Sequence, residues 1–339
     1  MKTKTIKAVL SKRFNEFVET ITDETVRELV KANTIITGGA IVSLLLNEKP
    51  NDYDLYFRDK KTTKAVAKYY TNQWNEAHGA CLNAIGHKER LFVLDGEDVE
   101  LWKVGLKTLP EIAPNYDRDI EYAEPTTVSH MITNTSAERI KVIFPSDGVV
   151  GETAPLESAI SSADDLSEIN AEILEGNENK GKYRPVFFTT NAISLSNNIQ
   201  LIIRFYGEPD QIHENYDFEH CCCSWDSKTG KLITPNEALL AILNKDLFYR
   251  GSKYPLCSVI RTRKFLARGW KINAGQYLKM CFQISELDLQ NIDVLEDQLI
   301  GVDTVYFTQV VTALRKMQLS DPNFSFNATY LSTIVDRIF

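Results

Sequence analysis

Residues 38–57, GGAIVSLLLNEKPNDYDLYF, carry the clearest structural pattern in the chain. Two glycines come first, followed by a short apolar run that Pro50 ends. The stretch finishes with residues 52–57, where acidic residues alternate with aromatic and aliphatic ones, as is typical of a half-buried strand. We therefore expect a turn, a short helix over 40–47 and a strand over 52–57.

The glycine pair is typical of a phosphate-binding turn. A helix N-terminus presents backbone N–H groups without helical partners and carries a partial positive charge. Glycine lets a phosphate approach this backbone closely, because no Cβ stands in the way. Gly38 and Gly39 fit that role, and the hydroxyl of Ser43 follows one turn later. For the glycine pair alone, an ordinary turn is the simpler interpretation.

Two aspartates lie two residues apart in the predicted strand. Residues i and i+2 of a strand face the same side, roughly 7 Å apart. Asp52 and Asp54 can therefore reach the same ions, while Tyr53 and Leu55 face the core. Carboxylates suit Mg2+, which takes oxygen ligands and bridges to triphosphate oxygens. A solvated pair on an exposed face is the alternative interpretation.

The glycine pair, short helix and Asp-x-Asp strand, in this order and spacing, resemble the nucleotidyltransferase superfamily of polymerase beta. The stretch is particularly similar to the opening motif of tRNA CCA-adding enzymes and bacterial poly(A) polymerases. The resemblance implies that Gly38 and Gly39 contact the triphosphate of an NTP. It also implies that Asp52 and Asp54 hold Mg2+, with two ions expected.

The chain also departs from that motif. Val42 and Ser43 stand where those enzymes carry Arg-Asp, and their base-reading Glu-Asp-x-x-Arg element has no clear counterpart. CCA addition itself is therefore poorly supported.

A third carboxylate from a later strand completes the metal site in this superfamily. Residues 216–226 ("YDFEHCCCSWD") are expected to form a strand that presents Asp217 and Glu219 on one face. This segment is similar to one in poorly characterised viral and phage nucleotidyltransferase-like proteins, where an "R-K-F…R-G-W" helix follows, as at residues 263–270 here. That similarity points to Asp217 as the third ligand. Glu100 is the rival candidate, and a purely structural strand carboxylate is the alternative.

A basic stripe follows in residues 250–279, which contain no Asp or Glu. Arg261, Lys264 and Arg268 fall on one helical face. They can neutralise a triphosphate or the phosphates of an acceptor, or they form a plain solvated face. Three nearby aromatic residues can stack a base or belong to the core. They are Tyr249, Tyr254 and Trp270.

Length and patterning suggest two domains in the 339 residues. The first, 1–232, is expected to be an α+β domain with a nucleotidyltransferase-like mixed or antiparallel sheet and helices on one side. It includes an acidic insertion at 147–180. The second, 233–339, is expected to be helical.

Composition limits the classes of partner. A net charge of −8 argues against a protein that coats nucleic acid by charge alone. No apolar run approaches the roughly 18 residues of a membrane span, and no secretory signal is visible. We therefore expect no membrane partner and a cytoplasmic location, in the host if the protein is phage-encoded. The six cysteines show no CxxC pair and are expected to be buried thiols.

The expected function is Mg2+-dependent transfer of NMP from an NTP to a hydroxyl, with release of pyrophosphate. The hydroxyl acceptor can be an RNA 3′ end, a protein or another nucleotide, and Asp217 would help to activate it. The alternative is an inactive descendant of the fold that serves as a phage structural or interaction protein.

Overall fold

The computed structural model describes residues 2–77, 91–95, 139–143, 149–151, 182–299, 310, 313–314, 317–318, 320–321 and 324–338. The N-terminal part follows the predicted order of helices and strands. Its elements are α1 (Thr3–Val18), α2 (Glu24–Asn33), β1 (Thr34–Thr37), α3 (Gly39–Leu45), β2 (Tyr53–Phe57) and α4 (Lys60–Ala77). The turn, helix and strand predicted over residues 38–57 are therefore confirmed.

Short strands dominate the middle of the chain. They are β3 (Phe92–Leu94), β4 (Lys141–Ile143), β5 (Val149–Gly151), β6 (Pro185–Thr189), β7 (Ala192–Leu195), β8 (Ile199–Tyr206), β9 (Ser224–Asp226) and β10 (Leu232–Ile233). The helix α5 (Pro209–His213) and a 3₁₀ turn (Glu219–Cys221) lie between β8 and β9. Of the predicted acidic insertion, residues 149–151 form β5, and residues 152–181 lie outside the described residues.

Helices make up the C-terminal part, as predicted. They are α6 (Asn236–Asn244), α7 (Pro255–Ala267), α8 (Ala274–Ser285), α9 (Ile292–Leu299) and α10 (Ala328–Ile338). Together with the sheet they confirm the predicted α+β class. In the described part of the chain, no helix combines the length and apolar character that crossing a membrane requires.

The main sheet has eight strands in the order β10-β9-β1-β2-β8-β7-β6-β5, and β3 pairs with β4 separately. Among the pairs of the main sheet, β2 and β8 run parallel and the others run antiparallel, so the sheet is mixed. Thr37 of β1 lies opposite Asp54 of β2, and Asp54 lies opposite Gln200 of β8. The Asp54 position is thus in the middle of the sheet.

The alternation of side chains divides the sheet into two faces. Leu55 and Phe57 of β2 belong to the main core, which residues of α1, α3 and α4 complete. Tyr56 of β2 belongs to a smaller cluster with Ile202 of β8 and Ile212 of α5. Since Asp54 is two residues from Tyr56, both lie on the face away from the main core. Tyr53 and Leu55 are buried in that core, as predicted.

The main core continues past residue 232 into the C-terminal helices. It includes Ala238 and Ile242 of α6 and Met280 of α8. A second cluster is built around Leu295 of α9 and Ile334 of α10. The division into domains 1–232 and 233–339 stays a prediction.

The prediction of one strand over 216–226 is wrong for most of that segment. Only β9 at its end is a strand, and Asp217 and Phe218 precede the 3₁₀ turn. Phe218 instead forms an isolated bridge with Tyr249, and the backbone N–H of Arg250 donates to the carbonyl of Asp217 at 2.9 Å. The segment thus pairs with the C-terminal part of the chain, and Asp217 and Phe218 are both buried there.

An ion pair fastens the ends of β2 and β9. Arg58 Nη2 donates to Asp226 Oδ2 at 2.9 Å, and Arg58 Nε donates to Glu208 Oε1 at 3.0 Å. Burial alone would raise the pKa of Asp226. Hydrogen bonds from Arg58 and from the backbone N–H of Lys228 outweigh that effect, so the pKa lies below its usual range.

We expect Asp226→Asn to lower the free energy of unfolding at pH 7 by about 1–3 kcal/mol, because a hydrogen bond between charged groups is lost. The folded-state pKa is depressed, so the stabilisation is present above the unfolded-state pKa of about 3.9 and is lost as pH falls through the folded-state value. Urea unfolding at pH 7 and pH 3 measures this difference. Glu208→Gln, at the more exposed partner, should cost less than about 1 kcal/mol. A difference as large at pH 3 as at pH 7 would contradict the assignment.

Candidate functional site

A cleft opens on the sheet face that carries Asp54 and Tyr56. Its empty volume is about 1080 Å³, which includes open solvent at its mouth. The nine residues predicted to bind metal or nucleotide all line it. They are Gly38, Gly39, Ser43, Asp52, Asp54, Asp217, Arg261, Lys264 and Arg268. The fold therefore brings the glycine turn, the aspartates and the basic stripe to one place.

The backbone at Gly38 lies close to the side chains of Asp54 and Tyr216. Its φ is 88°, in the region that side-chain-bearing residues rarely adopt. A Cβ on Gly38 would lie 3.2 Å from Asp54 Oδ2 and 3.4 Å from Tyr216 Oη. A Cβ on Gly39 would meet no atom within 4 Å. Gly38 is thus required by the backbone and by the Asp54 carboxylate, whereas Gly39 leaves the mouth of the cleft open.

Hydrogen bonds hold Thr37, the residue before the glycine turn. Thr37 Oγ1 donates to the carbonyl of Cys223 at 2.8 Å and lies 2.8 Å from His213 Nε2. Burial is the main cause that lowers the pKa of His213, to about 4, so the imidazole is neutral at pH 7. Since the Thr37 hydroxyl gives its proton to the carbonyl, the neutral imidazole donates to Thr37.

The three carboxylates differ in their surroundings. Asp52 and Asp54 are half-buried, and Asp217 is 5% exposed. Arg261 Nη1 donates to Asp217 Oδ2 in a close ion pair. Such a pair offsets the cost of burying the Asp217 charge, which would otherwise be large.

The chemistry of two of these carboxylates suits a metal ion. Among the residues that the structure describes, no group of three or more His, Cys, Asp or Glu side chains is placed to hold a metal ion. Asp52, Asp54 and Asp217 thus line one cleft without forming a three-ligand site. Mg2+ is usually held by one or two carboxylates together with substrate phosphates. Asp52 and Asp54 match that chemistry, and the role of Asp217 as a ligand stays a prediction.

The helix α7 supplies the cations of the cleft. Arg261 and Lys264 are half-buried on this helix, and Arg268 is exposed directly after its last residue. Three acidic and three basic side chains thus line the same space. A lining that combines carboxylates with guanidinium and ammonium groups can bind a metal ion and phosphate oxygens side by side.

Aromatic side chains form another part of the lining. They include Tyr56, Phe205, Tyr216, Tyr254 and Phe265. Of the aromatic residues predicted to stack a base, Tyr249 and Trp270 belong to the main core instead. Trp270 packs against His220 with ring centroids 4.2 Å apart. The interpretation of these two residues as core is therefore correct.

Other polar groups in the cleft keep their protons. Burial raises the pKa of the Tyr216 phenol well above its usual value, with further contributions from Tyr56 and Asp54. Burial and then Asp217 raise the pKa of the Cys221 thiol in the same way. At neutral pH the cleft therefore presents a phenol and a thiol, and the thiol is not an activated nucleophile.

Sequence reasoning missed much of the aromatic lining. Tyr56 could have been found, because it is two residues from Asp54 and shares its face. Ile202 and Phe205 carry no local signal that distinguishes them from other residues of a buried strand. The rival third carboxylate, Glu100, lies outside the described residues.

Comparison with known protein families identifies the family of this chain. The sequence model of a family described as "Gad2: Gabija anti-defense 2 family protein" matches residues 8–245. This range contains the glycine turn and all three aspartates of the cleft and ends before α7. No curated protein and no solved structure matches the chain.

The two glycines give a matched pair of variants. We expect Gly38→Ala to lower the free energy of unfolding by about 1–3 kcal/mol, because the new Cβ forces an unfavourable φ and presses on Asp54. Gly39→Ala should leave stability unchanged or raise it by up to about 1 kcal/mol. Urea denaturation of both variants measures the difference, and equal effects would show that the turn does not constrain Gly38.

Proposed function

Since the chain belongs to the Gabija anti-defense 2 (Gad2) family, we propose that it acts against Gabija by nucleotidyl transfer. The reaction moves NMP from an NTP to a hydroxyl on an RNA end, a protein or a nucleotide and releases pyrophosphate. One observation carries the proposal: the residues that resemble a nucleotidyltransferase motif at 38–55 share a cleft with Asp217 and with the basic stripe at 261–268.

The residues divide into two groups by the chemistry they can supply. Asp52 and Asp54 would hold Mg2+, which when bound neutralises phosphate charge and orients the reacting oxygens. Lys264 and Arg268 are suited to the outer phosphates of the triphosphate. The open space at Gly39 lets phosphate oxygens approach the backbone there.

The transfer step needs an in-line arrangement of the acceptor and the leaving group. The acceptor oxygen forms a bond to the α-phosphorus, and the bond from that phosphorus to the bridging oxygen breaks. Pyrophosphate leaves with the electron pair, and the hydroxyl proton passes to the carboxylate of Asp217. Arg261 contacts this carboxylate, and its five N–H donors allow it to bind phosphate oxygens as well.

A second candidate is binding without catalysis. The ion pair between Asp217 and Arg261 and the replacement of Arg-Asp by Val42-Ser43 both favour it. In this case the inherited cleft binds a nucleotide or a Gabija component, and no bond is made or broken. Only the transferase candidate requires release of pyrophosphate that depends on Asp52 and Asp54.

We expect the purified protein, given each α-labelled NTP with Mg2+ and the purified Gabija proteins, to release pyrophosphate and label an acceptor. Asp52→Ala/Asp54→Ala should lower this rate by roughly a hundredfold or more, since the groups that stabilise transition-state charge are lost. Asp210→Asn, at an exposed carboxylate of α5 outside the cleft, is the matched control and should keep the wild-type rate.

The same variants decide between the two candidates in cells that carry Gabija. Loss of the anti-Gabija effect in the double variant, with the Asp210→Asn protein still effective, is the result expected for a transferase. The transferase proposal would be overturned in favour of binding by two results together. The double variant would keep its full effect on Gabija, and the wild-type protein would release no pyrophosphate from any NTP.

A further inference from the structure

Two buried polar side chains of the main sheet have unpaired polar atoms. Gln200 of β8 is 3% exposed, and its Nε2 has no hydrogen-bond partner among the described residues. Ser194 of β7 is fully buried, and its Oγ is unpaired in the same part of the chain. A buried amide or hydroxyl that gives up its hydrogen bonds to water lowers the stability of the fold unless another partner replaces them. A partner that becomes available with a bound ligand would offset this cost.

The register of the sheet places Gln200 beside Asp54. The two residues are direct partners in the parallel pair of β8 with β2, and Ser194 is the partner of Gln200 in the pair of β7 with β8. Leu201, the next residue of β8, belongs to the main core, whereas Ile202 lines the cleft. By the alternation of a strand, Gln200 therefore shares the face of Ile202 and Asp54.

Asp54 thus has a different neighbour on each side. The strand β2 lies between β1 and β8, so Gly38 is on one side of Asp54 and Gln200 is on the other. Neighbouring strands are about 4.8 Å apart. A glutamine side chain is long enough to cross that gap, so rotation about its side-chain bonds can bring the carboxamide of Gln200 to the Asp54 carboxylate.

The carboxamide suits a carboxylate that holds a metal ion. Carboxylates that bind a metal ion are themselves hydrogen bonded by neighbouring groups, which fix their orientation. A glutamine supplies two N–H donors for this purpose. Because the carboxamide is neutral, it can donate to Asp54 without competing with the charge of Mg2+, as a lysine or an arginine would.

We propose that Gln200 is a positioning residue for the metal ion. When Mg2+ binds Asp54, the carboxamide N–H of Gln200 donates to the Asp54 carboxylate and fixes its orientation. This inference rests on the proposed function, since it assumes Mg2+ at Asp52 and Asp54. It assigns the unpaired Nε2 to the ligand-bound state, in which that atom gains an acceptor.

Equilibrium binding of ATP with Mg2+ and of ATP with EDTA, measured by calorimetry, tests this role. Gln200→Met keeps the length of the side chain and removes its polar group. It should weaken Mg2+·ATP binding roughly tenfold or more, the usual effect of losing a hydrogen bond to a metal ligand. Binding of ATP in EDTA should stay at its wild-type level. Gln200→Leu replaces the Met variant if that protein does not fold.

Ser194→Ala is the matched control. It also removes an unpaired buried group from the same face, but Ser194 is two strands, roughly 9.5 Å, away from Asp54. This variant should bind Mg2+·ATP as the wild-type protein does. Equal weakening in Ser194→Ala and Gln200→Met would overturn the role of Gln200, because it would indicate a water held by both groups.

Urea denaturation separates positioning from a purely structural role. Since Gln200→Met and Ser194→Ala each remove an unpaired buried group, the urea midpoint of both variants should equal or exceed that of the wild type. A side chain that only stabilised the fold would lower the midpoint when it is replaced. A lower midpoint for Gln200→Met would therefore overturn the proposal.

The outcomes also distinguish this inference from the function on which it rests. A wild-type protein that binds ATP no more tightly with Mg2+ than with EDTA overturns both. Metal-dependent binding that Gln200→Met leaves intact overturns the positioning role alone. Equal loss of ATP binding with Mg2+ and with EDTA would indicate a direct contact with the nucleotide or a disturbed cleft, and it likewise overturns the positioning role.

Discussion

The antiparallel pairing of β1 with β2 places Thr37 opposite Asp54, so the chain leaves β1 into Gly38 directly beside the Asp54 carboxylate. A Cβ at residue 38 would press on that carboxylate at 3.2 Å, and the positive φ of Gly38 leads the chain into α3. Thr37 is in turn tied to Cys223 by a hydrogen bond. The register of three strands therefore determines where the first two aspartates meet the glycine turn, and the rest of the cleft is built around this point.

The cleft is a preformed polar space because its charges compensate one another. Asp217 is buried, and a lone buried carboxylate would destabilise the fold by several kcal/mol. Arg261 supplies the compensating charge from α7. A ligand that carries both a cation and phosphates can exchange partners with such a pair at little net cost in charge. A ligand that carries only negative charge would be repelled by the aspartates.

Local patterns in the sequence predicted the elements that depend on neighbouring residues. The turn, helix and strand over 38–57 follow from the glycine pair, the apolar run that Pro50 ends and the alternation after it. The segment around Asp217 could not be predicted in this way. Its backbone pairs with residues 248–250, which are far away in the sequence. The contact between Phe205 and Tyr254 could not be predicted from local patterns either, because the two residues are far apart in the sequence.

The range matched by the Gad2 family, 8–245, contributes only half of the cleft's charge. The charged lining residues inside that range are Asp52, Asp54 and Asp217, and the three cations come from α7 and its end. A cleft lined only by the three acids would repel a triphosphate. Docking of α7 therefore supplies the positive charge that the proposed nucleotide site needs, and apolar contacts accompany the ion pair of Arg261 with Asp217 in this docking.

Phe265 of α7 makes the docking contact. Its ring packs against Phe218 at 5.6 Å and against His220 at 4.6 Å between centroids. Burial lowers the pKa of His220 to about 3, so its ring is neutral and packs as part of the core. Phe218 directly follows Asp217 in the chain. The contact between Phe265 and Phe218 thus positions both Asp217 and the helix that carries Arg261. For this reason the acidic and the basic side chain lie next to each other in the cleft.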